Sequence, residues 1–332
     1  MSNGKILFDR KKLRVQRLQA RVHDLTVGSV LPLEPRSVDS MAIPKVAKKI
    51  TSTRKFGRSV ILMAGGHVLR SGVQNYLIDL MESGYISCIA MNGSGMIHDY
   101  EFALIGATTE SVSKYIKKGE FGLWKETGYL NDIINSAYKK NRRIGMGEAV
   151  GKAISKGKYP YKSISILSAA YRLGIPVTIH VGVGYDIIHE HPNCDGAATG
   201  ALSYNDFLKF ASVVQNLEGG VVMNFGSAVM GPEVYLKALS MARNVARRSR
   251  KSISKFTTLV CDLHNLKGNF KVEPSKDSPE YYFRPWKTML TRTVSDGGES
   301  FYVRGRHSDT IPSLWTALEK LSDYPKSRDG QR

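Results

Sequence analysis

Short apolar runs that end in glycines alternate with amphipathic segments between residues 59 and 110. Residues 60–64 are apolar throughout and lead into Gly65 and Gly66, which is typical of a buried strand in a parallel sheet. Residues 72–83 then place apolar side chains three and four positions apart, and this spacing predicts an amphipathic helix. The stretch therefore begins as strand, glycine turn and helix.

The same order is repeated immediately afterwards. Residues 86–91 form a second apolar run that leads into Gly93 and Gly95, and a second helix is predicted from about His98. Consecutive parallel strands joined through a helix place both glycine turns at the carboxyl edge of one sheet. Glycines at that edge either let a phosphate approach the backbone or only make tight turns.

The alternation of strands and helices continues along the rest of the chain. Further strands are predicted over 175–181, over about five residues before Gly226, over 256–261 and over 300–304. Helices are predicted over 40–50, 110–119, 124–141, 146–154, 163–173, 204–216, 232–247 and 311–322. This order predicts an α/β protein with a mainly parallel, Rossmann-like sheet and helices on both faces.

The same pattern predicts three regions along the chain. Residues 56–325 form a single α/β domain, residues 1–55 form a basic, partly helical N-terminal arm, and residues 326–332 form a disordered tail. Within the arm, residues 10–23 carry apolar side chains at helical spacing among basic residues. That spacing predicts a surface helix or an oligomer arm.

Composition narrows the class of protein. The 332 residues are 42% hydrophobic and 23% charged, as in ordinary soluble proteins, and no apolar stretch approaches the ~20 residues of a membrane helix. The three cysteines are scattered, and the N-terminus lacks the apolar segment of a secretory signal. Both features favour a reducing compartment, so the sequence predicts a cytoplasmic protein without membrane contact.

The formal net charge of +19 brings anionic partners into the picture. Basic residues are concentrated over 10–21 and over 243–255. No nucleic-acid-binding motif and no interleaved aromatic residues accompany these two runs. We therefore interpret the runs as solvated faces and keep nucleic acid as a secondary candidate partner.

Histidines and carboxylates follow the glycine turns and are the candidates for chemistry. His98, Asp99 and Glu101 stand near a predicted helix start, where an acid either caps the helix or serves a ligand. Histidine is the side chain best suited to proton transfer near neutral pH. We expect His98 to act as an acid or base, and Asp99 and Glu101 to bind substrate.

A second polar group follows the strand predicted over 175–181. Its members are His180, Asp186, His189, His191 and Asp195. Their spacing matches no strong metal signature, so a metal site, an acid–base and substrate site, and a polar loop at the sheet edge all stay open. We predict no metal, a catalytic role for His189, and substrate binding by Asp186 and His191.

A third group follows the strands later in the chain. Asn224, Gly226 and Ser227 precede a predicted helix start, which is the geometry of an anion or ribose site. Asp262 and His264 end the strand predicted over 256–261, at the same sheet edge. We therefore count Asn224, Gly226, Ser227 and Asp262 among the candidates for binding a cofactor.

Several of these stretches resemble the deoxyhypusine synthase family. They are MAGGHVLRSG at 63–72, NGSGMIHDYE at 92–101, IPV at 175–177 with the glycine turn after it, and the strand after Gly219-Gly220. The resemblance covers roughly 60–262 and implies a deoxyhypusine synthase-like, NAD-binding fold, NAD as cofactor, and a homo-oligomer (a dimer or tetramer) with sites at subunit interfaces. Carried over by position, the residues facing NAD are Gly65, Gly66, His67, Ser71, Gly93, Ser94 and Gly95. Asp99 and Asp186 stand where the family places acids that hold a polyamine.

Two positions depart from that family. Its lysine nucleophile follows serine, tryptophan and glycine, whereas residues 284–287 read RPWK. Asn224 and Phe225 stand where the family has paired histidines. Lys287 is kept as the candidate nucleophile, with an exposed, solvated lysine as the alternative. These departures argue against deoxyhypusine synthesis itself.

The stretch IHDYEFALIGAT at 97–108 is similar to a histidine–aspartate–x–glutamate–x–alanine–leucine run of NAD-dependent ornithine cyclodeaminases of the deoxyhypusine-synthase-like type, which implies a reaction without a lysine nucleophile. The prediction is an NAD-dependent transferase or lyase that acts on an amine or amino acid by oxidation at a C–N carbon. The alternatives are an ornithine cyclodeaminase-like ammonia lyase and a non-catalytic protein that binds nucleotides or nucleic acid.

Overall fold

The computed structural model describes residues 7–322 and is built around a six-stranded sheet. The strands of this part of the chain are β1 (Leu25–Thr26), β2 (Val60–Ala64), β3 (Cys88–Asn92), β4 (Ala107–Thr108), β5 (Val177–His180), β6 (Val221–Phe225), β7 (Thr257–Asp262) and β8 (Glu299–Arg304). Strands β1 and β4 pair antiparallel in a separate two-stranded sheet, and the other six form the main sheet. The helices are α1 (Ala42–Lys55), α2 (Gly66–Arg70), α3 (Gln74–Glu82), α4 (Gly93–Ile105), α5 (Val112–Tyr115), α6 (Lys125–Lys140), α7 (Met146–Lys156), α8 (Ile166–Leu173), α9 (Gly196–Val214), α10 (Met230–Arg248) and α11 (His307–Glu319), with a π-helix at Trp286–Arg292. None of the helices in this part of the chain has the length and apolar content needed to cross a membrane.

The strand order in the main sheet is β5-β3-β2-β6-β7-β8, and every pairing is parallel. The chain runs outward from β2 through β3 to β5, and then returns to the other side of β2 and runs outward again from β6 to β8. This is the order 3-2-1-4-5-6 of a doubly wound, dinucleotide-binding sheet. The predicted mainly parallel, Rossmann-like sheet is therefore confirmed.

Helices cover both faces of the sheet, which explains why the central strand β2 is apolar without a break. Along β2, Leu62 packs into the core layer that contains α1, α3 and α8. Its neighbours Ile61 and Met63 point to the other face, into the layer that contains α10 and the π-helix. Successive side chains of a strand alternate between faces, so a strand covered on both sides needs apolar residues at every position.

The helix expected after Gly93 and Gly95 begins earlier than the sequence predicts. We expect it from about His98, but α4 starts at Gly93 because the side chain of Asn92 caps it. The Oδ1 atom of Asn92 accepts a hydrogen bond from the amide of Gly95 at 3.1 Å, which satisfies one of the free N–H groups at the helix start. His98 and Asp99 therefore lie inside the helix and not at its first turn.

The N-terminal basic segment is not the predicted helix over 10–23. It contains single 3-10 turns at Arg10–Lys12 and Leu18–Ala20, and Gln16 bonds in a strand-like manner to residues 123–125. The helix prediction is wrong because the backbone of this segment forms only these short turns and pairs at Gln16 with residues 123–125, instead of continuing as a helix. Leu18 and Arg21 are buried, so the segment packs on the α/β domain. The tail predicted over 326–332 lies outside the described residues.

Candidate functional site

A cleft of about 580 Å³ opens at the carboxyl ends of β5, β3, β2 and β6. Its volume falls in the range of roughly 300–1,000 Å³ that is typical of ligand pockets. The polar and glycine residues that line it are Gly65, Gly66, His67, Arg70, Asn92, Ser94, His98, His180, Gly182, Tyr185, Asp186, Gly226 and Ser227. The chain reverses direction across the sheet between β2 and β6, so the cleft lies at the topological switch point, where α/β sheets bind ligands.

Two glycine turns form the floor of the cleft and pack directly on each other. A Cβ atom on Gly65 would collide with the carbonyl oxygen of Gly226, and Gly226 itself has a φ of +60°. A Cβ atom on Gly66 would collide with the hydroxyl of Ser94. Because the obstacle at Gly65 is backbone, a larger residue there would push the turns after β2 and β6 apart.

Arg70 and Asp186 give the cleft two charges of opposite sign. Arg70 is the last residue of α2, is exposed, and places Nη1 3.4 Å from Nε2 of His67. Asp186 follows β5, is 8% exposed, and packs its carboxylate against Gly93 at the start of α4. Burial raises the pKa of Asp186 to about 6, and a hydrogen bond from the Ser94 amide acts in the opposite direction. Above that pH the cleft can hold a cation beside Asp186 and an anion beside Arg70.

His98 lines the cleft from α4 and is neutral near pH 7. Burial is the largest reason that its pKa is lowered to about 4, and the charge of Arg70 contributes in the same direction. Its Nδ1 atom lies 2.9 Å from Oγ1 of Thr108, so the ring edge that carries Nε2 is the one that borders the cleft. A neutral imidazole in this position can accept a proton from a bound ligand.

Asp99 and Glu101 are predicted to bind substrate, but both lie outside the cleft and are 1% exposed. The carboxylate of Asp99 accepts hydrogen bonds from the Ser165 hydroxyl at 2.6 Å and from the amides of Ile166 at 2.7 Å and Leu167 at 3.2 Å. It therefore caps the start of α8. Glu101 bonds to Arg21. Neighbouring residues of a helix point in different directions, so His98 can face the cleft while Asp99 faces the core.

His189, predicted to be catalytic, and His191, predicted to bind substrate, also lie outside the cleft lining. Nδ1 of His189 accepts hydrogen bonds from the amides of Gly184 and Asp186, each at 3.3 Å. Nε2 of His191 lies 2.9 Å from the carbonyl oxygen of Gly122, to which it must donate. Both rings therefore hold the loop that carries Asp186.

His180 ends β5 and lines the cleft. Its Nε2 atom lies 2.9 Å from Oγ1 of Thr178, and burial lowers its pKa to about 3. Residues 7–322 contain no group of three or more histidine, cysteine, aspartate or glutamate side chains placed to hold a metal ion. Within the described residues, the polar side chains over 180–195 are therefore not arranged as a set of metal ligands.

The predicted cofactor residues divide into two groups. Those that line the cleft are Gly65, Gly66, His67, Ser94, Gly226 and Ser227. Those that do not line it are Ser71, Gly93, Gly95, Asn224 and Asp262. Asn224 is fully buried, and its Nδ2 atom donates to the carbonyl of Ser227 at 2.9 Å, which holds the turn after β6. Asp262 ends β7, where its Oδ1 atom accepts from the amide of Leu263 at 2.7 Å.

Lys287, the candidate nucleophile, lies on the π-helix away from the cleft. Its Nζ atom is 4.0 Å from the centroid of the Tyr281 ring, a cation–π contact. As far as residues 7–322 describe the cleft, its lining contains no lysine. Lys287 is therefore not among the residues that line the cleft.

Sequence reasoning missed two residues beside the cleft, Arg70 and His307. In the sequence, Arg70 lies between the turn at Gly65 and Gly66 and the turn at Gly93 and Gly95. Its positive charge close to the first of these turns is a signal from which a ligand-binding role could be predicted. His307 begins α11, and a Cβ atom on Gly226 would collide with its Nε2 atom. Burial lowers the pKa of His307, and its Nδ1 atom is buried without a hydrogen-bond partner in the described structure. No local pattern marks His307, because its neighbours in the site come from distant strands.

The fold and the cleft define an α/β protein of the doubly wound type with a ligand site at the switch point. No protein-family model and no curated protein sequence matches the chain. A conserved putative LOR/SDH protein from Methanococcus maripaludis S2 has a similar structure, with 18% identity and a TM-score of 0.50 over 87% of this chain and 72% of that one. At this identity the likeness shows the fold alone.

AgrE has a similar structure as well. A mutant of AgrE in complex with L-arginine aligns with 16% identity and a TM-score of 0.51 over 86% of this chain and 34% of that one, and the complex with ornithine and NAD+ aligns at 0.49 with 16% identity over 85% and 33%. This chain therefore spans about a third of the length of AgrE. A putative deoxyhypusine synthase from Entamoeba histolytica aligns with 10% identity and a TM-score of 0.45 over 84% and 87%, a score too low to carry an argument.

Proposed function

We propose that the cleft binds NAD together with an amine or amino acid, and that the protein is an enzyme that transiently oxidises the C–N carbon of that amine. The observation that carries this proposal is the presence of Arg70 and Asp186 in one cleft at the switch point. In doubly wound sheets, dinucleotides lie across the crevice where the strand order reverses. The two opposite charges then divide the cleft into a side for phosphates and a side for an ammonium group.

The residues on the side of β2 and β6 fit the phosphates and riboses of a dinucleotide. Gly65 and Gly226 bring the backbone to the surface of the cleft floor, and the guanidinium of Arg70 is suited to phosphate by its charge and its fork of donors. The start of α10, which follows the turn at Ser227, adds free backbone N–H groups. When bound there, NAD supplies a hydride acceptor.

The residues on the side of β3 and β5 fit a cationic amine. The carboxylate of Asp186 would hold the ammonium group above pH 6, where it is ionised. His98 is neutral and can take the proton that the ammonium group loses as its carbon is oxidised. Water, or a second amine, then attacks the resulting C=N carbon.

The comparison with AgrE supports the same two classes of ligand. AgrE shares the fold at a TM-score of 0.51 and has been crystallised with L-arginine, and in a separate complex with ornithine and NAD+. A cationic amino acid and a dinucleotide are the ligands that the two charges of this cleft fit. Between the two amine reactions, the lack of a lysine in the described lining favours an ammonia lyase of the ornithine cyclodeaminase type over transfer through a lysine nucleophile.

Isothermal titration of NAD tests the proposal. Changing Arg70 to Gln should weaken NAD binding roughly 10-fold, the effect of losing one charge-assisted contact of about 1.4 kcal/mol. Arg247→Gln, in the exposed basic run of α10, is the charge-matched control and should leave the affinity unchanged. A screen of ornithine, arginine and polyamines for NADH formation or ammonia release follows. Failure of the unaltered protein to bind NAD would overturn the proposal, and RNA binding with a steep salt dependence would then favour a nucleic-acid-binding protein.

A further inference from the structure

A buried chain of hydrogen bonds connects the N-terminal segment to the cleft histidine. Nη1 and Nη2 of Arg21 donate to the two carboxylate oxygens of Glu101, each at 2.8 Å. Oγ1 of Thr108 donates to Oε2 of Glu101 at 2.6 Å and lies 2.9 Å from Nδ1 of His98. Arg21 is 4% exposed, Glu101 1% and Thr108 0%. The chain therefore runs through the interior and ends at the cleft.

The direction of each hydrogen bond follows from the chemistry of the groups. Burial opposes ionisation of Glu101, but the charge of Arg21 and the bonds from Arg21, Thr108 and Thr127 hold the pKa of Glu101 below its ordinary value. Glu101 is therefore a carboxylate, which only accepts hydrogen bonds. Thr108 has one hydroxyl proton and gives it to Glu101, so it can only accept from His98. The proton of the neutral His98 ring must then be on Nδ1.

We propose that Glu101, acting through Thr108, is a positioning residue that fixes His98 as the Nδ1–H tautomer, so that unprotonated Nε2 faces the cleft. An Nε2 lone pair accepts a proton or a hydrogen bond from an ammonium, amine or hydroxyl group of a ligand. Arg21 completes the arrangement by keeping Glu101 ionised. The identity of the donor rests on the proposed function, but the tautomer does not.

Other charged groups near His98 do not provide this orientation. Besides Glu101 and Arg21, the groups that act on its titration are Arg70 and His67 of α2. Both disfavour the charged ring without bonding to either of its nitrogens in the described structure. They keep His98 neutral, whereas the chain through Thr108 decides which nitrogen carries the proton.

Nitrogen-15 NMR of the histidine rings tests the tautomer directly in the full chain, with neither NAD nor amine present. A His98→Gln variant identifies the His98 signals. Near neutral pH we expect a protonated Nδ1 and an unprotonated Nε2 in the unaltered protein. Thr108→Val removes the acceptor, so we expect the Nε2–H form to become a major species, and Thr108→Ser should restore the original tautomer.

Thr127→Val is the matched control. Thr127 also donates to the Glu101 carboxylate, at 2.6 Å, but does not touch His98, so its loss should leave the tautomer unchanged while removing a similar hydrogen bond from the core. Two results would refute the proposal: a major Nε2–H form in the unaltered protein, or retention of the Nδ1–H form in Thr108→Val. Because no ligand is used, a failure to bind NAD would sink the proposed function and leave this result intact.

Discussion

The carboxylates of Asp99 and Asp186 are both buried against the first turn of another helix, yet the structure uses them differently. Burial raises the pKa of both to about 6. Asp99 accepts three hydrogen bonds at the start of α8. Asp186, at the start of α4, is stabilised as an anion by the Ser94 amide and borders the cleft. The two residues therefore have the same side chain, are both buried and have similarly raised pKa values, but their carboxylates differ in hydrogen-bond partners.

This difference separates a structural carboxylate from a carboxylate that can bind a ligand. The oxygens of Asp99 are committed to the first turn of a neighbouring helix, so a ligand would have to break existing bonds to reach them. Asp186 borders an opening into which a cation can fit. Glu101 belongs with Asp99, because Arg21, Thr108 and Thr127 occupy its carboxylate. Each of the following variants asks whether this division is real.

The largest expected effect is on stability, from Arg21→Met. The change leaves the Glu101 carboxylate buried without its ion partner, which typically costs about 3–5 kcal/mol. Urea unfolding measures the loss. Arg172, paired with Glu82 at 3.5 Å on the surface, is the control, and Arg172→Met should change the free energy of unfolding by less than about 1 kcal/mol. Equal, small effects of both variants would contradict a structural role for the buried pair.

Asp99→Ala should be next in size. The Ser165 hydroxyl and two amides of α8 lose their acceptor, and we expect the free energy of unfolding to fall by about 2–3 kcal/mol. The same unfolding measurement applies, followed by titration of the folded variant with NAD and amine. If stability is unchanged and amine binding is lost, Asp99 is a ligand and the division is wrong.

Asp186→Asn should weaken ligand binding and leave stability nearly unchanged, the opposite of the result expected for Asp99→Ala. Removing the charge should weaken binding of a cationic amine roughly 10-fold, or about 1.4 kcal/mol, with the affinity for NAD unchanged. The free energy of unfolding should change by less than about 1 kcal/mol, because relief of a buried charge offsets the altered hydrogen bond. Calorimetry with ornithine in the presence of NAD measures the affinity. Asp262→Asn, outside the cleft, should leave amine binding as it was.

The smallest effect is a pH step in amine affinity. A carboxyl with its pKa raised to about 6 is neutral well below that pH and charged above it, so affinity should rise through pH 6 and then level off. His98, with its pKa lowered to about 4, does not titrate in this window. Asp186→Asn should remove the step, and a step that persists in this variant would assign it to another group.

Stability should change with pH in the opposite sense. The folded-state pKa values of Asp99 and Asp186 are raised to about 6, above the unfolded value of roughly 3.9. Their contribution is therefore fully present below about pH 4 and is lost as the pH rises through 6. As the pH rises through 6, amine affinity should therefore increase while this contribution to the free energy of unfolding decreases.

The fold could be predicted from sequence because its signal is local. A parallel strand covered on both faces favours an unbroken apolar run, and for this reason the sequence predicts β2 with the bounds that the structure shows. The glycines after β2 and β6 could be found in the same way, since their place at strand ends is visible in the sequence. The direction of a side chain on α4 was not visible. It is set by Ser165 and Arg21, whose positions in the chain are remote from Asp99 and Glu101.

Contacts between residues that are remote in the chain also explain why sequence analysis selected Lys287 and did not find His307. Lys287 was suggested by its sequence neighbours, but the structure places it on a π-helix beside Tyr281. His307 reaches the turn at Gly226 from the first residue of α11, a contact that depends on how the last strand is connected. Residues that meet only through tertiary packing leave no periodic pattern to read.

The burial of Arg21 makes the N-terminal segment part of the site as well as part of the fold. The six strands of the Rossmann-like sheet all lie after residue 56, which is where the sequence predicts that the domain begins. A chain shortened to that boundary would retain every strand of that sheet, but it would lose α1 from one face and would leave Glu101 unneutralised beneath His98. Engineering of this protein should therefore treat the N-terminal segment as part of the site, and tags or cleavage sites belong before it and not within it.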